Sequence, residues 1–156
     1  GSENLAPDQL FEDALKLSAE SLGRHGVELQ RDFAPTSPVV ADRHKVLQIL
    51  VNLVKNAKDS VLSSAAKGEC RIVVRVAPAG PDHVGLAVED SGLGIAPEHL
   101  ARIFQHGFTT KKNGHGFGLH SCVLAAREMQ GDLAVASAGV GRGATFTLTL
   151  PIARAT

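Results

Sequence analysis

Two short alternating segments constrain the architecture more tightly than anything else in the chain. Residues 70–77 read Cys-Arg-Ile-Val-Val-Arg-Val-Ala, and residues 83–89 place Val84, Leu86 and Val88 on one side. Pro-Ala-Gly-Pro at 78–81 turns the chain between them. A period of two describes strands with one apolar face, and such a face must be covered by a second layer. The cover lies just upstream. Asp42 is suited to cap a helix running to about Ala66. At roughly 100° per residue, Val46, Leu50, Leu53, Ala57 and Val61 share the side of that helix that packs on the sheet.

The rest of the pattern extends this plan. A helix is expected over 10–22, stopping at Gly23, then short strands over 27–33 and 39–41. Pro97 suits the first turn of a short helix over 97–103. A helix over 119–129 and strands over 132–137 and 144–150 complete the chain, the last two joined by a hairpin containing Gly139, Gly141 and Gly143. The expected fold is a two-layer α/β sandwich, a mixed, mostly antiparallel sheet backed by helices. Residues 3–156 are expected to form one domain, with Gly1-Ser2 a cloning scar.

Composition excludes several functions. Lys plus Arg and Asp plus Glu both number 16, which argues against a nucleic-acid protein. Trp and Tyr are absent and Phe numbers 6, so an aromatic platform for single strands is disfavoured. No apolar run approaches the ~20 residues of a membrane span, so no direct membrane contact is expected. Cys70 and Cys122 lack ligand partners at zinc spacing and read as reduced thiols of a cytoplasmic protein.

Three features carry chemistry. On the long helix, Asn52, Asn56, Asp59 and Ser63 are spaced four, three and four apart and form a polar stripe beside the apolar one, with Lys55 and Lys58 toward solvent. Asparagine is a mediocre helix former, and an amide oxygen can ligate Mg²⁺ without adding negative charge beside phosphates. Next, Asp90 ends an alternating strand within Asp-Ser-Gly-Leu-Gly-Ile. Gly92 and Gly94 permit close approach of a ligand. An ionised carboxylate only accepts hydrogen bonds, so beside a purine it favours the amino group of adenine over the carbonyl of guanine, and Ile95 could cover the ring. Finally, Gly114, Gly116 and Gly118 alternate just before the helix that starts near Leu119, an anion-binding arrangement. Thr109, Thr110, Lys111 and Lys112 add hydroxyls and charge to it. This is neither a dinucleotide fingerprint, which follows a strand, nor a Walker A loop.

Asn-Leu-Val-Lys-Asn (52–56), Asp-Ser-Gly-Leu-Gly (90–94), Ile-Phe-Gln-His-Gly-Phe-Thr-Thr-Lys (103–111) and Gly-His-Gly-Phe-Gly-Leu (114–119) occur in one order. In that order they resemble the N, G1, F and G2 boxes of the histidine-kinase catalytic and ATP-binding domain. This Bergerat fold is shared with type II topoisomerases, mismatch-repair ATPases and the ninety-kilodalton chaperones. The resemblance runs from about Leu10 to Pro151 and implies a mobile ATP lid. It implies that Asn56 ligates Mg²⁺ while Asn52 sits beside the phosphates, with Asp59 nearby. It implies that Asp90 binds the adenine amino group, with Gly92, Gly94 and Ile95 shaping the pocket. Phe104 and Phe108 would anchor the lid. Thr109, Thr110, Lys111, Gly114, His115, Gly116, Phe117, Gly118 and Leu119 would surround the phosphates, Lys111 neutralising charge.

Two departures refine the expectation. Hydrolysing relatives carry a water-activating glutamate where this chain has Asn52, so phosphoryl transfer is expected rather than efficient hydrolysis. Many members place Thr after the last hairpin glycine, where this chain has Ala144. None of the 7 histidines is followed by an acidic residue. The phospho-accepting histidine is therefore expected on a separate dimerisation domain, upstream, with a response regulator downstream. This piece itself is expected to be monomeric. The alternatives are a serine or protein kinase of the same fold, like the anti-sigma-factor kinases, and a non-catalytic nucleotide sensor.

Overall fold

The computed structural model describes residues 1–64, 68–105 and 117–154, with the side chain of residue 117 excepted. Among these described residues, seven strands and five helices follow in the order β1 (Glu3–Leu5), α1 (Pro7–Lys16), α2 (Ala19–Arg24), β2 (Glu28–Phe33), β3 (Val39–Ala41), α3 (Arg43–Ser63), β4 (Arg71–Pro78), β5 (His83–Asp90), α4 (Pro97–Leu100), α5 (Phe117–Glu128), β6 (Asp132–Ala136) and β7 (Ala144–Pro151). Five strands form one sheet in the order β2-β4-β5-β7-β6. The hairpin expected from the alternating segments is β4–β5, antiparallel, with Ile72 opposite Asp90. β7 pairs antiparallel with both β5 and β6. The two-layer plan is as expected.

One face of the sheet is the core. Ile72, Val74, Val76, Val84, Leu86, Val88, Phe146, Leu148 and Leu150 are buried against the helices. α3 supplies Val46, Ile49, Leu50, Leu53, Val54, Ala57 and Val61, the expected stripe widened by two residues. Its start is also as expected: the Asp42 side chain accepts from the Lys45 N–H at 3.1 Å. On the other face, Arg75 of β4 reaches Asp32 of β2 and Glu89 of β5.

Three expectations need correction. The helix expected over 10–22 is two helices. α1 buries Leu10, Phe11, Ala14 and Leu15, whereas α2 buries only Leu22. A straight helix would have to aim both sets at one core, and the break at Leu17, which is 71% exposed, re-aims the second. Gly23 does not stop α2. Gly26 does, at φ +69, with Val27 N donating to the Leu22 carbonyl and Gly26 N to the Gly23 carbonyl. Lys58 does not extend into solvent, since its Nζ donates to Ser21 Oγ at 2.8 Å. The sheet is mixed, as expected: β2 pairs parallel with β4, from Glu28 opposite Arg71 to Phe33 opposite Val76, with α3 lying in the crossover between them. Phe33 carries this edge strand onto the helices by stacking on Phe11 at 5.8 Å. β1, which pairs with β3, was not expected at all.

Candidate functional site

The site is organised where β5 ends against α3. Asp90 is 6% exposed, the one charged residue buried among the described residues. Its Oδ1 accepts from the Gly92 N–H at 2.8 Å and from the Ser60 hydroxyl at 3.2 Å. Burial pushes its carboxyl above the usual range. The Gly92 N–H, the Ser60 hydroxyl and the Ala144 N–H oppose that rise, and the charge of Glu89 adds to it.

The turn after Asp90 is held from three sides. Toward the helix, Leu93 N donates to Ser60 Oγ at 2.9 Å. Gly92 lies so close that a Cβ there would stand 2.6 Å from the Ser60 carbonyl carbon. Toward β4, Ser91 Oγ accepts from Arg71 N at 2.9 Å and donates to the Glu69 carbonyl at 2.7 Å. Toward the loop between β6 and β7, Gly141 N donates to the Leu93 carbonyl at 2.6 Å and Gly143 N to the Gly92 carbonyl at 3.2 Å. Ser137 Oγ accepts from Ile95 N at 3.0 Å and donates to the Gly143 carbonyl at 2.6 Å. Gly94, at φ +70, faces the Gly139 carbonyl with no room for a side chain. The hairpin glycines thus clasp the acidic turn, a role that their sequence position alone did not disclose.

The polar flank of α3 links this turn to the second glycine segment. Asn52, Asn56 and Ser60 follow one another at steps of four, all half-buried. Ser60 touches Asp90 at one end. At the other, Asn52 lies against Gly118 in the first turn of α5, where a Cβ would meet Asn52 Nδ2 at 2.9 Å. Eight residues of helix span about 12 Å, with Asn56 midway. The flank therefore runs through Ser60 and not through Ser63, which is exposed and bonds back to the Asp59 carbonyl at 2.8 Å. Sequence reasoning missed Ser60, whose only signal was its place four residues after Asn56.

The other expected residues fall as follows. Ile95 and Phe104 are half-buried and pack on the core, Phe104 edge-on to Phe146 at 6.1 Å. The Phe104 carbonyl accepts from His120 Nδ1 at 3.1 Å, which ties the end of the preceding segment to α5. Leu119 is buried at the start of α5. Asp59 is half-buried beside Ser60. Phe108, Thr109, Thr110, Lys111, Gly114, His115 and Gly116, with the side chain of Phe117, lie outside the described residues. Among the described residues no group of three or more His, Cys, Asp or Glu side chains could cage a metal. No described helix is long and apolar enough to cross a membrane.

Arranged this way, the flank can serve an elongated, anionic, purine-bearing ligand. A buried acceptor stands at one end, amides follow along the middle, and a helix N-terminus lies at the other. Comparison with known proteins places the chain beside a family and a fold already described. Residues 41–154 match the family described as histidine kinase-, DNA gyrase B-, and HSP90-like ATPase. The two-component sensor PprA of Pseudomonas aeruginosa is 38% identical over 94% of this chain, and the sensor protein FixL of Bradyrhizobium diazoefficiens is 34% identical over 93%. The matched region is 16% of the first protein and 28% of the second, so the chain spans under a third of either. Among solved structures, the catalytic domain of histidine kinase ThkA superposes with a TM-score of 0.83, over 97% of this chain and 98% of that one, at 24% identity. Full-length ShkA, in complex with AMPPNP, superposes at 0.84 over 100% of this chain and 32% of that one, also at 24% identity, so both likenesses speak to the fold.

Proposed function

The chain belongs to the family of histidine kinase-, DNA gyrase B- and HSP90-like ATPases, and from that premise we propose that it is the ATP-binding catalytic domain of a sensor histidine kinase. It binds Mg·ATP and donates the γ-phosphoryl group to a histidine on a dimerisation domain of the same full-length protein. That histidine then serves a response regulator on the cytoplasmic side. The observation that carries the reading is the α3 flank, which touches the Asp90 turn through Ser60 and the start of α5 through Asn52. Asp90 accepts from the adenine amino group, and Gly92, Gly94 and Ile95 shape the space around it. The α5 N-terminus, with Gly118 and Leu119, offers backbone N–H groups to the phosphates.

The donor chemistry fits magnesium. Mg²⁺ keeps several waters and prefers one or two protein oxygens plus substrate phosphates to an all-protein cage, and the flank offers amides rather than clustered carboxylates. Asn56 would hold the ion, which supplies charge neutralisation at the phosphates. Asn52 orients the phosphate chain and has no basic lone pair to activate water. The chain's own contribution is positioning and charge balance, the terms that dominate phosphoryl transfer. Lys111, Phe108, Thr109, Thr110, Gly114, His115, Gly116 and Phe117 are proposed to complete the phosphate end, and Phe104 to anchor their segment.

Calorimetric titration of Mg·ATP into the wild-type chain, Asn56→Ala and Asp90→Ala tests the reading. Loss of a hydrogen bond to a charged group is worth ~1.5–3 kcal/mol. Each variant should therefore bind about tenfold more weakly or worse. Near-native affinity in either variant overturns the assignment.

A further inference from the structure

Three serines near the C-terminal end of α3 behave differently. Ser63 Oγ bonds back to the Asp59 carbonyl at 2.8 Å, and Ser64 Oγ to the Ser60 carbonyl at 3.3 Å. Those are the local bonds expected of serine in a helix. Ser60 instead directs its hydroxyl out of the helix, donating to Asp90 Oδ1 at 3.2 Å. The polarity of that bond is set by the backbone. Leu93 N–H approaches the same Oγ as a donor at 2.9 Å, so the single hydroxyl proton must go to another acceptor. With Gly92 N at 2.8 Å, Oδ1 then receives two donors, and with the Ala144 N–H also reaching the carboxylate its plane is fixed.

We propose that Ser60 is a positioning residue for base recognition, orienting the Asp90 carboxylate so that Oδ2 meets the exocyclic amine of adenine and thereby setting preference for ATP over GTP. The inference rests on the nucleotide reading above. Guanine presents a carbonyl where adenine presents the amine. A carboxylate locked as acceptor at that point repels the carbonyl, while one free to turn away tolerates it. The lock is also short-range: Ser60 holds the base-reading carboxylate and the backbone of the turn through one oxygen atom.

The test is competitive titration of ATP and GTP, with Mg²⁺ present, against the wild-type chain, Asp90→Ala, Ser60→Ala and Ser60→Thr. The expected result is that Ser60→Ala weakens ATP about tenfold, the scale of one hydrogen bond to a charged group, and GTP much less. The ATP:GTP ratio then falls about tenfold. Ser60→Thr keeps the hydroxyl and should restore the ratio to within about threefold. A purely structural role would lower both nucleotides alike, and the ratio remains readable in a partly destabilised variant. An unchanged ratio in Ser60→Ala, or no rescue by Ser60→Thr, overturns the inference while leaving the nucleotide site standing. No ATP binding by the wild-type chain, or full binding by Asp90→Ala, overturns the nucleotide reading and this inference with it.

Discussion

Replacing Gly92 by alanine should separate the turn from the helix it rests on. The added Cβ would stand 2.6 Å from the Ser60 carbonyl carbon and 2.7 Å from its oxygen, both backbone atoms inside α3. Neither can swing aside, so the turn itself must retreat. Reaching ordinary contact needs about 0.8 Å, which would stretch the Leu93 N–H bond to Ser60 to about 3.7 Å and the Ser60 bond to Asp90 to about 4.0 Å, beyond hydrogen-bonding range. One of the two goes to a carboxylate, so their loss costs ~2.5–4 kcal/mol. Lower unfolded-state entropy in alanine returns ~0.4–1 kcal/mol. The net loss is about 2–3 kcal/mol, a large share of a typical domain stability of ~5–15 kcal/mol. Urea denaturation should show the midpoint lowered by about 1–2 M with unchanged slope, together with loss of ATP binding. Gly118→Ala is the control. Among the described residues its Cβ meets the amide end of the Asn52 side chain at 2.9 Å and no backbone atom nearer, and alanine favours the helix by ~1 kcal/mol. Its stability should stay at or above wild type. If Gly92→Ala unfolds within about 0.5 kcal/mol of wild type, the account of the turn as pressed on the helix is wrong.

Three further outcomes follow from individual residues. Burial raises the Asp90 carboxyl above its unfolded value, so its contribution to stability is fully present below pH ~3.8 and is lost as pH rises through the folded value; Asp90→Asn should therefore have the higher Tm at neutral pH, an advantage that shrinks on acidification, and a lower Tm at pH 7 would contradict the burial argument. Gln130 holds φ +63 beyond α5, where Gly131 N bonds to the Ala126 carbonyl at 2.9 Å and Gln130 N to the Arg127 carbonyl at 3.1 Å; Gln130→Gly should stabilise by about 0.5–1 kcal/mol in thermal or chemical denaturation, and a destabilised variant would refute the strain. Burial pushes the Cys122 thiol up to about 11, so iodoacetamide at pH 8 should label half-buried Cys70 well before Cys122 in the folded chain, a mass-spectrometric comparison that equal labelling would defeat.

What could be read from the sequence depended on whether a residue's partner lay along the chain or across it. α3 was legible on both counts, since its apolar stripe and its asparagines each repeat at helical spacing. Asp90 was legible because a carboxylate closing an alternating strand before two glycines is a local pattern. Ser60 was not. Nothing local separates it from Ser63 or Ser64, and only the turn that packs on it, 30 positions further along the chain, selects it. The clasp by Ser137, Gly141 and Gly143 was hidden for the same reason. The hairpin they form was expected, but the partner of that hairpin was not. β1 is three residues long with an exposed or half-exposed pattern, too short for periodicity to register. β2 exposes most of its residues at a sheet edge, so no continuous apolar run betrayed its parallel pairing.

That parallel pairing has a consequence for how the molecule is built. β2 and β4 align in register from Glu28 to Phe33, yet the polypeptide joining them includes all of α3. A parallel neighbour must wait for its crossover to be laid across the sheet, and closing so long a loop is slow. During synthesis the edge strand leaves the ribosome first and has nothing to pair with until residue 71 and beyond emerge. The amide-bearing helix is therefore threaded between the two before the edge can zip. Rapid-mixing experiments should find protection of the β2 amides late, after α3 has docked.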